Sequence, residues 1–195
     1  MRKIGKVLFA AGALLVLASF GLLAFSQLRA NAAKKETAAV VAELTSIFPE
    51  RYPGVTDTFR NMDMPAMEIN GQDYIGVVEI PAFGLSLPVG SQWNAGKVTS
   101  FPCRFWGTVY DGSLIIGGAD QPGQFDCLSK LDLGTTVIVA DMTGAEFTYG
   151  VSEIRRSKSA DREVLMDDEV DLTLFVRDAY ELNYILVRCT AKAGR

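Results

Sequence analysis

Three thiols and not one imidazole frame the chemistry open to this chain of 195 residues: Cys103, Cys127 and Cys189 are its cysteines, and it has no histidine. That absence removes the commonest general base and the commonest metal ligand together. The cysteines stand far apart with no C-x-x-C pair, so neither a metal site nor a cofactor is expected. A thiol without a basic partner keeps a pKa of about 8.5 and is mostly protonated at neutral pH, a poor nucleophile. Cys189 lies in an apolar, strand-like run and reads as a core residue. Cys127 falls in a short helical stretch with no base to pair with it. Cys103 and Cys127 have a disulfide open to them in an oxidising compartment, but spacing alone does not bring their Cα atoms within reach. Serine chemistry needs a lysine base here, and Ser129 and Lys130 are neighbours whose side chains do not readily converge. Asp120, Asp126 and Asp178 are the loop carboxylates from which an acid–base pair would have to come; solvated loop acids are the expectation.

The elements that must position these groups are strands. Tyr74–Ile80 is rich in β-formers and stops at Pro81; Leu85–Val89 follows a turn at Phe83-Gly84. Leu114–Ile116, running into Gly117-Gly118, reads as a fully apolar central strand. Thr136–Ala140, a turn at Asp141-Met142-Thr143-Gly144, and alternating Phe147, Tyr149 and Val151 predict a hairpin. Leu172–Val176 and Tyr184–Cys189 are two more strands, and Pro122–Leu131 contains the one short helix of the body. Short strands at intervals of about ten residues predict an all-β fold, a closed barrel of about eight strands spanning 73–195.

Ahead of the barrel, Arg2, Lys3 and Lys6 precede Val7–Phe25, nineteen residues without a charge. As a helix rising 1.5 Å per residue this run is about 28 Å long, close to one hydrocarbon core. Residues 1–33 are therefore expected to be a single-pass membrane anchor with the body outside the cell. A cleaved signal peptide is the alternative, since Ala30-Asn31-Ala32 has the small-x-small spacing. Residues 34–72 are expected to form a stalk helix followed by an irregular linker. In the helix, Ala39, Val40, Leu44 and Ile47 or Phe48 share one side, and Pro53-Gly54 stops it. Net charge is −4, but residues 1–35 carry six basic residues and no acid, which leaves −10 on the rest. So acidic a body repels polyanions, and nucleic-acid binding is not expected.

Taken in order, several of these segments resemble the sortases, cysteine transpeptidases that attach proteins to Gram-positive cell walls or build pili. The resemblance runs through Tyr74-Ile75-Gly76-Val77-Val78-Glu79-Ile80-Pro81, Leu87-Pro88-Val89, Trp93-Asn94-Ala95-Gly96 and Pro102-Cys103-Arg104-Phe105. It continues in Ser113-Leu114-Ile115-Ile116-Gly117-Gly118, Phe125, Leu128 to Leu131, Gly134, Asp171-Leu172-Thr173-Leu174-Phe175 and Val187-Arg188-Cys189. With an N-terminal anchor, the resemblance is to the class B- or D-like members. It implies a sorting-motif peptide such as Leu-Pro-any-Thr-Gly as the family's substrate, attacked by a thiolate paired with an imidazolium, with an arginine holding the oxyanion.

Carried onto this sequence, the three catalytic positions are all substituted. The histidine position is Ala119, the cysteine position is Arg177, and the arginine position is Tyr184, or Asn183 with a loop one residue shorter. The expectation is a pseudoenzyme that binds a surface protein or pilin peptide, or an active sortase, without cleaving it. An active enzyme with a relocated nucleophile is the alternative. Arg177 places a fixed charge in the groove, and a charge there needs a partner, so an ion pair with Asp120 or Asp178 is expected. The other reading has Arg177, Asp120 and Asp178 contacting a ligand, with the guanidinium taking its carboxylate.

Overall fold

Alternation of large apolar residues with small or polar ones drives most of this chain into strands that close on themselves. In the computed structural model the described residues are 35, 37–47, 51–54, 62–167, 169–178 and 181–192. By contacts the chain divides into Met1–Glu36 and Thr37–Arg195. The expected membrane anchor lies outside the described residues; among those, no helix is long and apolar enough to cross a membrane.

The strands are β1 (Tyr52–Pro53), β2 (Met67–Ile69), β3 (Gln72–Ile80), β4 (Leu85–Gly90), β5 (Cys103–Trp106), β6 (Leu114–Ala119), β7 (Thr136–Asp141), β8 (Ala145–Ser157), β9 (Leu172–Arg177) and β10 (Tyr184–Ala191). The order β8-β10-β9-β6-β5-β4-β3 is closed by β7, which pairs with both β3 and β8, so eight strands form a barrel. The short β1 and β2 extend it at β8 and β3. The expected all-β barrel is therefore the fold. Three segments were not legible as strands: β5, which follows a proline among aromatic residues, and β1 and β2, inside the stretch expected to be stalk helix and linker. Met64 from that same stretch is buried in the core.

Closure puts one side chain of every pair inside. Ile75, Val78, Ile80, Leu114, Ile116, Val137, Val139, Leu172, Leu174, Val176, Ile185 and Val187 fill the barrel. A six-residue 3-10 turn, Phe125–Lys130, plugs it with Phe125, Cys127 and Leu128. The β7–β8 hairpin turns where expected. The buried Asp141 carboxylate accepts the Thr143 N–H at 2.8 Å, the Thr143 hydroxyl at 2.6 Å, the Ala145 N–H at 3.1 Å and the Tyr110 hydroxyl at 2.6 Å. Four donors converge on one carboxylate, the condition under which a buried acid is tolerated.

Outside the barrel, a helix α1 over residues 37–47 lays Val40 and Leu44 onto Ile69, Tyr74, Val77 and Met142. Its predicted apolar side is narrower than the spacing implied: Ala39 and Ile47 are exposed, and Phe48 lies outside the described residues. A second short helix, α2 (Arg162–Leu165), covers the outer face of β6, β9 and β10 with Leu165, which packs with Ile115, Phe175 and Leu186.

Candidate functional site

The outer face of three adjacent strands holds the candidate site. On β6, Leu114 and Ile116 belong to the core, so Ile115, Gly117 and Ala119 take the opposite, outer face. On β9 the core residues Leu172, Leu174 and Val176 leave Thr173, Phe175 and Arg177 outside; on β10, Tyr184 and Leu186 do the same. Parallel pairing sets Ala119 against Arg177, and antiparallel pairing sets Tyr184 against the same Arg177. Three positions far apart in sequence therefore form one row across the sheet, with neighbouring Cα atoms about 5 Å apart.

The next row is Gly117, Phe175 and Leu186, and it is covered by aromatic rings. A Cβ built on Gly117 would lie 2.4 Å from the Trp93 indole and 2.5 Å from the Phe175 ring, so only glycine admits both rings against the strand. Trp93 packs edge-on to Phe105 at 5.4 Å and tilted on Phe175 at 5.5 Å; Phe175 reaches Phe105 at 5.5 Å and Tyr184 at 6.4 Å. These separations are those of favourable aromatic pairs. The loop carrying Trp93 is tied down by Gln124, whose side-chain oxygen accepts the Ala119 N–H at 3.0 Å while its amide donates to the Val98 carbonyl at 3.3 Å. Gln124 is 3% exposed and was invisible as a site residue, since a glutamine beside Pro122-Gly123 reads as turn polarity.

Arg177 is exposed, and the ion pair seen at Asp178 is not with Arg177. Consecutive strand residues point to opposite faces, which turns the buried Asp178 away from it. Asp178 instead lies 3.9 Å from Arg156 of β8, which also holds Glu181 at 3.0 Å. The Asp178 N–H donates to the Asn183 carbonyl at 2.8 Å, and its carboxylate accepts the Glu181 N–H at 3.0 Å, so it shapes the β9–β10 turn. Asp120 follows Ala119 and is half-buried.

No thiol belongs to the row itself: Cys103 of β5 pairs with Gly117, in the next row of the same face, and Cys127 and Cys189 lie elsewhere. Cys103, Cys127 and Cys189 are buried and unpaired, so the disulfide open to Cys103 and Cys127 is not formed. Burial raises all three, Cys127 to about 11 and Cys189 to about 12. Cys127 and Cys189 point into the barrel core. Lys130 is 3.6 Å from Asp126, one turn away, rather than poised on Ser129. No cluster of potential metal ligands exists among the described residues.

No family model and no curated protein matches the chain. Solved structures do. Sortase C1 of Streptococcus suis superposes with a TM-score of 0.54 at 22% identity, over 63% of this chain and 74% of that one. Clostridium perfringens sortase C with the C-terminal cell wall sorting motif gives 0.55 at 16% identity, over 80% and 91%. Sortase A of Corynebacterium diphtheriae gives 0.55 at 14% identity, over 85% of each. These three are class A and class C proteins. At such identities the likeness establishes the fold: the barrel is sortase-like.

Proposed function

We propose that this sortase-like barrel is a membrane-anchored, extracytoplasmic binding or accessory protein in surface-protein or pilus attachment, and that it does not cleave its ligand. The observation that carries the reading is the row Ala119, Arg177 and Tyr184, three adjacent positions on one face that hold no thiol and no imidazole. Thioester formation requires a thiolate in the groove, and protonating the leaving amine requires an acid beside it. An arginine can do neither, because its guanidinium stays charged at every accessible pH.

What the row can do is bind. A guanidinium offers five N–H donors in a fixed plane, suited to peptide carbonyls or a terminal carboxylate. The half-buried Tyr184 and the Trp93–Phe175 rings lie beside it as an apolar wall for a side chain. The buried, raised thiols argue against a relocated nucleophile. The Clostridium perfringens structure that holds a cell wall sorting motif makes such a peptide the first ligand to test; an active sortase is the other partner.

The test uses the full chain in detergent micelles with a Leu-Pro-any-Thr-Gly peptide, an amine acceptor and a thiol-reactive vinyl sulfone. We expect no turnover and no mass adduct. Fluorescence anisotropy should show saturable binding of the intact peptide, weakened about tenfold or more by Arg177→Ala, the loss expected for a hydrogen bond to a charged group. Turnover abolished by Cys127→Ala would replace the binding protein by an enzyme.

A further inference from the structure

Tryptophan is usually well buried, yet both tryptophans of this chain are exposed, Trp93 by 38% and Trp106 by 42%. Both line one cavity of about 470 Å³, within the range of small-molecule sites, with Phe105 between them. Neither indole is loosely held. Trp93 rests on Phe105 and Phe175 over Gly117, and the Arg162 guanidinium of α2 lies 3.3 Å from the centre of the Trp106 ring. Two rigid aromatic platforms lose little conformational freedom on binding.

The rim is polar in both senses. Asp63 and Asp111 supply carboxylate acceptors, Arg104 supplies a guanidinium bound to Asp63, and Gln92 has an exposed amide with no hydrogen bond among the described residues. A ligand suited to such a site carries an apolar face for the indoles and hydroxyls that donate as well as accept. A pyranose has that character: a face of C–H groups and an edge of hydroxyls. A proline-rich peptide fits less well, because proline has no N–H to give two carboxylates. The −10 charge outside residues 1–35 disfavours an anionic ligand.

We propose that the cavity between Trp93 and Trp106 binds a neutral oligosaccharide. The cavity shares Trp93 with the wall beside the Ala119–Arg177–Tyr184 row, but none of those three residues lines it, so Arg177→Ala should leave sugar binding unchanged.

The test uses the full chain in a sugar-free detergent, titrated separately with chitotriose, cellotriose and maltotriose and followed on the sugar by saturation-transfer NMR. At least one is expected to bind saturably. Trp106→Ala should weaken it about tenfold or more, and Trp106→Phe, which keeps a stacking ring, should weaken it far less. Circular dichroism checks that each variant is folded. Gln92→Ala, at an exposed side chain, gives a second reading should Trp106→Ala not fold, with an expected loss of about threefold. Absence of saturable binding by all three sugars up to about 20 mM would overturn the assignment. So would binding that Trp106→Ala and Gln92→Ala both leave intact, or displacement of the sugar by a proline-rich peptide.

Discussion

Burial sets the protonation chemistry of this protein at its individual side chains. Burial pushes Cys127 and Cys189 up to about 11 and about 12, and Cys103 is raised as well. The buried Tyr110 and Tyr149 hydroxyls are also raised, Tyr110 by burial and then by its hydrogen bond to Asp141, Tyr149 by burial. All five groups keep their protons in the folded state at pH values where the unfolded chain releases them. Their contribution to stability is therefore complete below about pH 9 and is lost as pH rises through the folded values. Melting temperature should hold level from pH 7 to about 8.5 and fall steadily above 9, as thermal unfolding followed by circular dichroism will show. A melting temperature unchanged at pH 10.5 would mean that these groups meet water in the folded protein.

Strand geometry decides which residues meet. The row at Ala119, Arg177 and Tyr184 exists because β9 pairs parallel to β6 and antiparallel to β10 with no register break at those positions. Elsewhere the ladder is broken on purpose. β3 shifts register between Tyr74 and Gly76, and Gly76 sits at φ +156°. That bulge lets Tyr74 and Val77 face α1 while Ile75 and Val78 enter the barrel. A Cβ at Gly76 would stand 2.1 Å from the Ala140 carbonyl oxygen on β7, and backbone cannot swing aside as a side chain can. Gly76→Ala should therefore cost about 2–4 kcal/mol in urea unfolding, from strained backbone and overpacking together. Gly71→Ala, at φ +75° with nothing within 4 Å of its Cβ, should cost only about 1 kcal/mol. Equal losses at the two positions would show that the β3–β7 approach is not the constraint.

At the scale of the molecule, closure by β7 leaves the core without a free edge along the barrel, and α1 is fastened to its outside. Leu44 is fully buried among Ile69, Tyr74, Val77 and Met142. Leu44→Ala should lower unfolding stability by about 2–5 kcal/mol, the range for emptying a packed leucine site. A loss below about 1 kcal/mol in denaturant titration would mean that α1 is not docked in solution.

Local pattern alone carried most strands of the body, the Asp141–Gly144 turn and the Val40–Leu44 side of α1, because each rests on periodicity or turn chemistry within a few residues, whereas the positions Ala119, Arg177 and Tyr184 came from the resemblance. The same sequence, having no histidine, already excluded imidazole chemistry. Tertiary structure decided what depends on through-space distance. It turned Asp178 to Arg156 rather than Arg177, sank the three thiols, made strands of β2 and β5, and gathered Trp93, Phe105, Trp106 and Phe175 from three separate segments. The physical reason is the same in each case: side-chain direction follows the pleat, but what lies opposite is fixed by register and closure, which no single segment contains.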